Sequence, residues 1–293
     1  MKKFLLHIFG LLVGLLLIMA VLDVLYTQVY RNMTVRSKFQ FIRSFKDKKI
    51  DYIFLGSSRV ENGINPLLIE EQTNKKCVNF GIPASKLEDI YTVLQLLDSY
   101  NIQSEKIFIQ VDYIFNVNER SNILQYQFLP FIRDNQKTKE SLRYLDDFNA
   151  SYYLPFYRYC ANDFKIGLRE FSLSVAGKKT KLVKHNGFVP RIEVASMKSD
   201  AALPSEINAN NAAFDRIDAY CKKNNIDVVY FCAPFMKETK NLDFAEKLQK
   251  RIPNLKNYAR LIDNDSLFMD GLHLNARGAT FLTNYMIADL KLK

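Results

Sequence analysis

The stretch Asp51-Tyr-Ile-Phe-Leu-Gly-Ser-Ser-Arg59 decides how the chain is read. Ile53, Phe54 and Leu55 form a short apolar run that stops abruptly at Gly56. A run bounded in this way reads as a buried strand, and Gly56 permits a tight turn as the strand leaves its sheet. Ser57, Ser58 and Arg59 then stand at the strand's carboxyl end, the edge where open α/β sheets bind ligands. Taken by themselves these residues also fit an ordinary polar turn, since Gly-Ser is common loop chemistry.

The pattern around this stretch alternates between strands and helices. Asn65 and Pro66 supply an N-cap and first-turn pair for a helix over about 67–73. Cys77-Val-Asn-Phe80 reads as a second strand, and Gly81-Ile-Pro-Ala-Ser85 turns into a long helix. Ser85 and Glu88 there have capping-box spacing. Leu87, Ile90, Tyr91, Leu94 and Leu97 repeat at helical intervals. The run from Lys106 to Val111 predicts a third strand ending at Asp112. The rhythm resumes with an amphipathic helix over 207–224 and the buried strand 226–233. A helix over 242–251, a weaker strand near 259–262 and a final helix over 276–290, capped by Asn275, complete it. Such alternation implies a parallel sheet covered on both faces. The middle, about 114–204, breaks the rhythm as an insertion, largely helical, and holds 14 of the 38 Tyr and Phe residues between Phe115 and Phe188. Those rings are expected to pack a small core of the insertion's own.

Ahead of this framework, Met1-Lys-Lys precedes an apolar segment from Phe4 to about Tyr26. Roughly 20 apolar residues cross a bilayer core, and no small-x-small cleavage site follows Leu22, so a retained transmembrane helix is expected. The expected organisation is a membrane anchor over 1–27, a basic linker over 28–49 and one domain over 50–293. The chain carries 41 basic and 31 acidic residues, a formal charge of +10. That balance suits an anionic membrane surface or an acidic polymer. No zinc-knuckle spacing or single basic helix points to nucleic acid. Cys77, Cys160, Cys221 and Cys232 have neither metal-site nor disulfide-framework spacing and read as structural.

Only three histidines occur: His7 in the apolar segment, His185 in the insertion, and His273 in Met269-Asp270-Gly-Leu-His273-Leu-Asn275. Asp270 stands three residues before His273, with a glycine between them. In a loop that spacing lets the carboxylate hold one imidazole nitrogen while the other faces a nucleophile. A serine hydroxyl attacks poorly unless a base takes its proton, and the base needs an acid to fix its tautomer. Ser58, Asp270 and His273 supply these three parts. Metal chemistry lacks a ligand set, so no metal and no cofactor is expected.

Gly56-Ser57-Ser58 on a first strand, Asn79-Phe-Gly81-Ile-Pro-Ala84 after a second, and Asp270-x-x-His273 before the last helix together resemble the SGNH (GDSL-type) hydrolase superfamily. The resemblance covers about 50–112 and 207–290 and leaves the insertion outside. It implies a flavodoxin-like three-layer α/β/α sandwich and acyl-transfer chemistry through an acyl-serine. Carried over by position, Ser58 is the nucleophile, His273 the base and Asp270 the orienting acid. The Ser58 and Ala84 amides form the oxyanion hole, and Asp112 stands where the family offers an Asn to it. Ser57 stands where the common pattern has Asp. Arg59 and Asn79 are the expected substrate-binding residues, with Arg59 equally suited to a phosphate or carboxylate of the substrate and to a structural salt bridge.

The Gly-Ser-Ser variant behind a membrane helix is also similar to the D-alanyl-transfer proteins of lipoteichoic acid modification. This implies a cell-membrane protein with an extracytoplasmic domain, acting as an esterase or O-acyltransferase on a cell-surface polysaccharide, with a membrane-bound acyl-donor protein as one further partner. The other reading is a non-catalytic envelope assembly or glycan-binding protein on the same fold, favoured by a carboxylate at Asp112.

Overall fold

Lys49–Leu55 forms β1, with every side chain from Tyr52 to Leu55 buried. It pairs in parallel with β2 (Cys77–Asn79) on one side and β3 (Gln103–Gln110) on the other. Beyond β3 lie β4 (Val228–Cys232) and β5 (Lys256–Asn257), also parallel. The sheet order β2-β1-β3-β4-β5 is that of flavodoxin-like folds. Its topological switch point falls between β1 and β3, the two strands that lead to Ser58 and Asp112. The computed structural model describes residues 1–192 and 200–293; the part of the expected insertion at 193–199 lies outside them.

Helices cover both faces of this sheet. Phe54, Phe108 and Phe231 project to one face and share a core with Ile69 of α4 (Pro66–Thr73) and with Leu282 and Met286 of α15 (Ala276–Asp289). Phe54 and Phe108 stack with ring centroids 4.4 Å apart. Burying each such ring contributes about 1.5–3 kcal/mol. On the other face Leu55 meets Ile90 and Val93 of α5 (Leu87–Ser99), against which α13 (Ala212–Lys223) packs. α14 (Phe244–Arg251) precedes β5 and buries Phe244, Ala245 and Leu248.

Three elements differ from the sequence expectation. The last strand is the two residues of β5, not 259–262. Tyr258 N–H donates to the Cys232 carbonyl and Leu261 N–H closes a turn on the Tyr258 carbonyl, so the apolar Ala259–Ile262 run packs without joining the sheet. The helix expected from 207 starts at Ala212, because Asn211 caps it by accepting from the Ala213 and Phe214 amides. The start of α5 is fixed by Asp89, which accepts from the Lys86 amide, one residue beyond the expected Ser85–Glu88 pair.

The chain forms two compact units, residues 41–124 with 181–293, which hold the sheet, and residues 1–40 with 125–180. In the second of these, α1 (Lys2–Asn32) is one continuous helix that runs through the expected boundary at 27. No residue before Asp23 is buried, whereas Asp23, Tyr26, Val29 and Tyr30 are, at helical spacing. Residues 28–40 are therefore folded rather than a free linker. Gln40 donates to the Tyr30 carbonyl, and Arg36 pairs with Glu170 at 2.9 Å. Short helices follow Gln125 here. They include α8 (Phe148–Tyr153), α9 (Tyr157–Ala161), α10 (Asp163–Ile166) and α11 (Leu168–Val175). Phe39, Phe128, Phe131 and Tyr159 fill the unit's own core, as the aromatic content of this segment suggested. All four cysteines are free, and Cys160 is exposed rather than packed.

Candidate active site

β1 ends at Gly56, whose lack of a side chain is required: a Cβ there would lie 2.3 Å from Val60 Cγ2 and 2.6 Å from Gln110 Oε1. The chain then turns at Ser57, the N-cap of the short helix α3 (Ser58–Gly63). Ser57 faces inward. Its amide and its hydroxyl both donate to Gln110 Oε1, at 2.8 and 2.9 Å. Ser58 faces the other way and is partly exposed. Gly81 follows β2 and packs on the same corner, where a Cβ would meet the Glu61 amide at 2.6 Å and the Ser57 carbonyl at 2.9 Å.

Across the carboxyl edge of the sheet, residues 267–275 form a tight loop. A bridge between Phe268 and Leu274 and the Met269 N–H to His273 carbonyl bond close its base. Within it, Asp270 Oδ1 accepts from the Leu272 and His273 amides at 2.8 and 2.9 Å, which fixes the carboxylate before it meets the ring. His273 Nδ1 lies 2.9 and 3.0 Å from the two Asp270 oxygens. His273 Nε2 lies 2.8 Å from Ser58 Oγ, 215 positions away in sequence. Burial would raise the Asp270 carboxyl, but the imidazole and the two amides outweigh it and hold the group below its ordinary value. Ser58, Asp270 and His273 are thus brought into one continuous hydrogen-bonded line.

Arg59 and Asp112 pair with each other, the salt-bridge alternative for Arg59 rather than the substrate contact. Both side chains are buried, and Arg59 Nε lies 2.9 Å from Asp112 Oδ2. Arg59 also donates to the Leu272 carbonyl at 2.8 Å and to the Ala233 and Pro234 carbonyls at 2.7 and 2.8 Å. Its guanidinium sits 3.6 Å from the centroid of Phe235. The arginine is therefore a buried tie between α3, the end of β4 and the histidine loop, with no face left for substrate. Asp112 accepts from Gln110 Nε2 at 2.5 Å and from the Ile114 amide at 3.2 Å. Its charge is compensated by Arg59. Asn79 is likewise structural. Fully buried, it donates to the Val60 and Ile64 carbonyls and accepts from the Gly81 amide.

Ala84 sits in the exposed turn after Gly81, with a left-handed backbone at φ +58°. Non-glycine residues adopt that region at some cost, so the turn is held by its surroundings: Ile82 N–H donates to the Gly56 carbonyl. Gln110 is the residue that sequence reasoning passed over. It stands polar and fully buried at the end of β3, after the apolar run Ile107–Ile109, and a lone buried polar side chain there must have partners. Here they are Ser57 and Asp112. Among the described residues, no group of three or more His, Cys, Asp or Glu side chains is placed to hold a metal ion.

No family model and no curated protein matches the chain. The solved structures similar to it include the following two. One is a Streptococcus pneumonia protein designated provisionally a platelet activating factor, 13% identical, with a TM-score of 0.39 over 97% of this chain and 98% of that one. The other is a Desulfitobacterium hafniense DCB-2 protein designated provisionally a lipolytic protein of the G-D-S-L family, 11% identical, with a TM-score of 0.30 over 80% of this chain and 97% of that one.

Proposed function

We propose that the chain is a serine acyl-transfer enzyme of the SGNH (GDSL-type) kind, with Ser58 as nucleophile, His273 as general base and acid, and Asp270 as the acid that orients it. The observation that carries this reading is the unbroken line Ser58 Oγ, His273 Nε2 at 2.8 Å, His273 Nδ1, Asp270 at 2.9 Å. The Ser58 hydroxyl donates to Nε2 while Nδ1–H donates to Asp270. Oγ attacks the acyl carbonyl, its proton passes to Nε2, and the imidazolium delivers that proton to the departing alcohol oxygen. A water or a second hydroxyl then gives its proton to Nε2 and attacks the acyl carbonyl, and the imidazolium returns that proton to Ser58 Oγ as the acyl–Oγ bond breaks. Water makes the enzyme an esterase, and a sugar hydroxyl makes it an O-acyltransferase.

The developing oxyanion takes the amides of Ser58 and Ala84 as its donors. The left-handed turn at Ala84, docked by Ile82 on Gly56, supports that assignment. The non-catalytic reading rests on a carboxylate at the oxyanion position and on the large insertion, and the pairing of Asp112 with Arg59 weighs against the first of these.

The substrate in this proposal is an acylated cell-envelope polysaccharide. α1 has a mean hydropathy of 2.8 over its most apolar window and is long enough to cross a membrane, which suits an anchored enzyme with its domain outside the cytoplasm. A fluorophosphonate probe tests the chemistry. The wild-type chain should be labelled and Ser58→Ala should not, whereas Ser57→Ala should keep its label. Labelling of Ser58→Ala would refute the nucleophile assignment.

A further inference from the structure

The unit built from residues 1–40 and 125–180 leaves apolar side chains exposed in a particular place. Tyr153 and Leu154, at the end of α8, are 66% and 48% exposed. Phe164 in α10 and Leu168 at the start of α11 are 68% and 62% exposed. Isolated exposed leucines need no explanation, but the level of these four along α1 does.

Two neighbouring segments give that level. The Phe156 amide donates to Asp23, while Tyr159, three residues on, meets Thr27 and Tyr30. This segment therefore runs along α1 away from its apolar half, and Tyr153 and Leu154 precede it. The second segment meets α1 at the same level, where Phe171 stacks on Tyr26 at 4.2 Å. Phe164 and Leu168 lie at its beginning. Both exposed pairs thus sit near Asp23, where the buried part of α1 gives way to its exposed apolar part. From Lys2 to Leu22 that part is 21 residues, about 32 Å at helical rise, which matches a hydrocarbon core of roughly 30 Å.

Asp23 itself cannot enter hydrocarbon unpaired, and it does not need to. Arg158 and Arg133 each pair with it at 2.7 Å, inside the protein. Lys165 and Arg169 are exposed beside Phe164 and Leu168. Aromatic and aliphatic side chains flanked by basic ones are what a bilayer's headgroup region accepts.

We infer that Tyr153, Leu154, Phe164 and Leu168 form a collar around α1 that inserts into the interfacial zone of the bilayer. The collar rests on the reading of Lys2–Leu22 as a membrane span. It gives the aromatic segment a lipid partner rather than a glycan. The collar fixes the depth at which this unit sits.

The test uses the full chain with Cys160→Ser, since the other three cysteines are buried. Single cysteines are introduced by Leu16→Cys, Leu154→Cys, Leu168→Cys or Val175→Cys and labelled with a polarity-sensitive fluorophore. The protein is reconstituted in phosphatidylcholine–phosphatidylglycerol vesicles carrying nitroxide lipids. Val175 is the control, 51% exposed but at the far end of α11. Shallow nitroxides should quench positions 154 and 168 at least about twofold more than 175, as interfacial insertion requires, and deep nitroxides should quench position 16. Quenching at 16 with 154 and 168 no different from 175 would overturn the collar and leave the anchor standing. No quenching at 16 would overturn the anchor, and the collar with it. Shielding of 154 and 168 that rises with the protein-to-lipid ratio would assign this face to a second copy of the chain and overturn the lipid assignment.

Discussion

Ser57 and Ser58 are adjacent in sequence and belong to clusters of opposite character. Ser58, His273 and Asp270 form an open line at the sheet edge, partly exposed and joined by short hydrogen bonds. Ser57, Gln110, Asp112 and Arg59 form a closed network a few ångströms deeper, with each member at most 3% exposed. Both clusters hold one acid, one base-like or cationic group and one serine. In the open cluster the acid orients a titratable base whose second nitrogen meets a nucleophile. In the closed cluster the acid faces a guanidinium that never loses its proton and whose donors end on carbonyls. The same residue types make an accessible hydrogen-bonded line in one place and a rivet in the other, and access separates the two.

That contrast can be broken by experiment. Ser58→Ala should lower esterase turnover most, by roughly 10⁴-fold or more, with unfolding unchanged. Stopped turnover accompanied by a lower melting temperature would place Ser58 in the structural cluster instead. Asp270→Asn should cost roughly 10³-fold, because the imidazole loses the partner that fixes its tautomer. Asp270 is held below its ordinary value, so it is fully charged above a pH near 4 and gives up its stabilising charge only as pH falls through its folded value. The loss in Asp270→Asn should therefore be about constant between roughly pH 6 and 8, and a loss confined to one end of that range would contradict the assignment.

The closed cluster should respond in stability. Arg59→Met leaves Asp112 charged and buried, which costs about 3–5 kcal/mol, read as a drop in denaturation midpoint. An unchanged midpoint would show that Arg59 is not the tie described. A smaller effect belongs to Asp89, whose carboxyl burial raises to about 6 against hydrogen bonds from the Lys86 and Ser121 amides. Its folded value lies above its unfolded one near 4, so the fold holds the proton more tightly and loses stability as pH rises between roughly 4 and 6. Asp89→Asn should flatten that part of the stability profile, by at most about 3 kcal/mol. Ser57→Ala should have the smallest effect on turnover, within roughly tenfold, since its hydroxyl holds Gln110 rather than substrate.

Much of this architecture is legible in the residues. The run Ile53–Leu55 before Gly56 announces a buried strand, and Asp270-x-x-His273 in a loop announces an oriented base. Burial of polar side chains is what the residues conceal. Arg59 after a serine, and Asp112 and Asn79 at strand ends, look like ligand contacts, because sequence shows polar groups but not the partners that consume them. Ala259–Ile262 looks like a strand because apolar runs report burial, whereas strand pairing depends on where the Cys232 carbonyl finds its donor, at Tyr258. The association of residues 1–40 with 125–180 is hidden for a related reason. It depends on pairs such as Asp23–Arg158 that lie 135 positions apart and carry no periodic signal.

Gly56 and Gly81 hold the first turn of α3 from two sides, with Val60 and Gln110 side chains against the first and Val60 and the α3 backbone against the second, closer than any side chain could tolerate. The consequence concerns evolvability. At these two positions the serine corner is saturated, so a randomised library should return glycine at both, and no route to a new specificity passes through them. Ala84 is the opposite case: exposed and already left-handed, it would accept glycine with less strain than alanine. Variation is therefore better accommodated at the Ala84 turn than at either glycine.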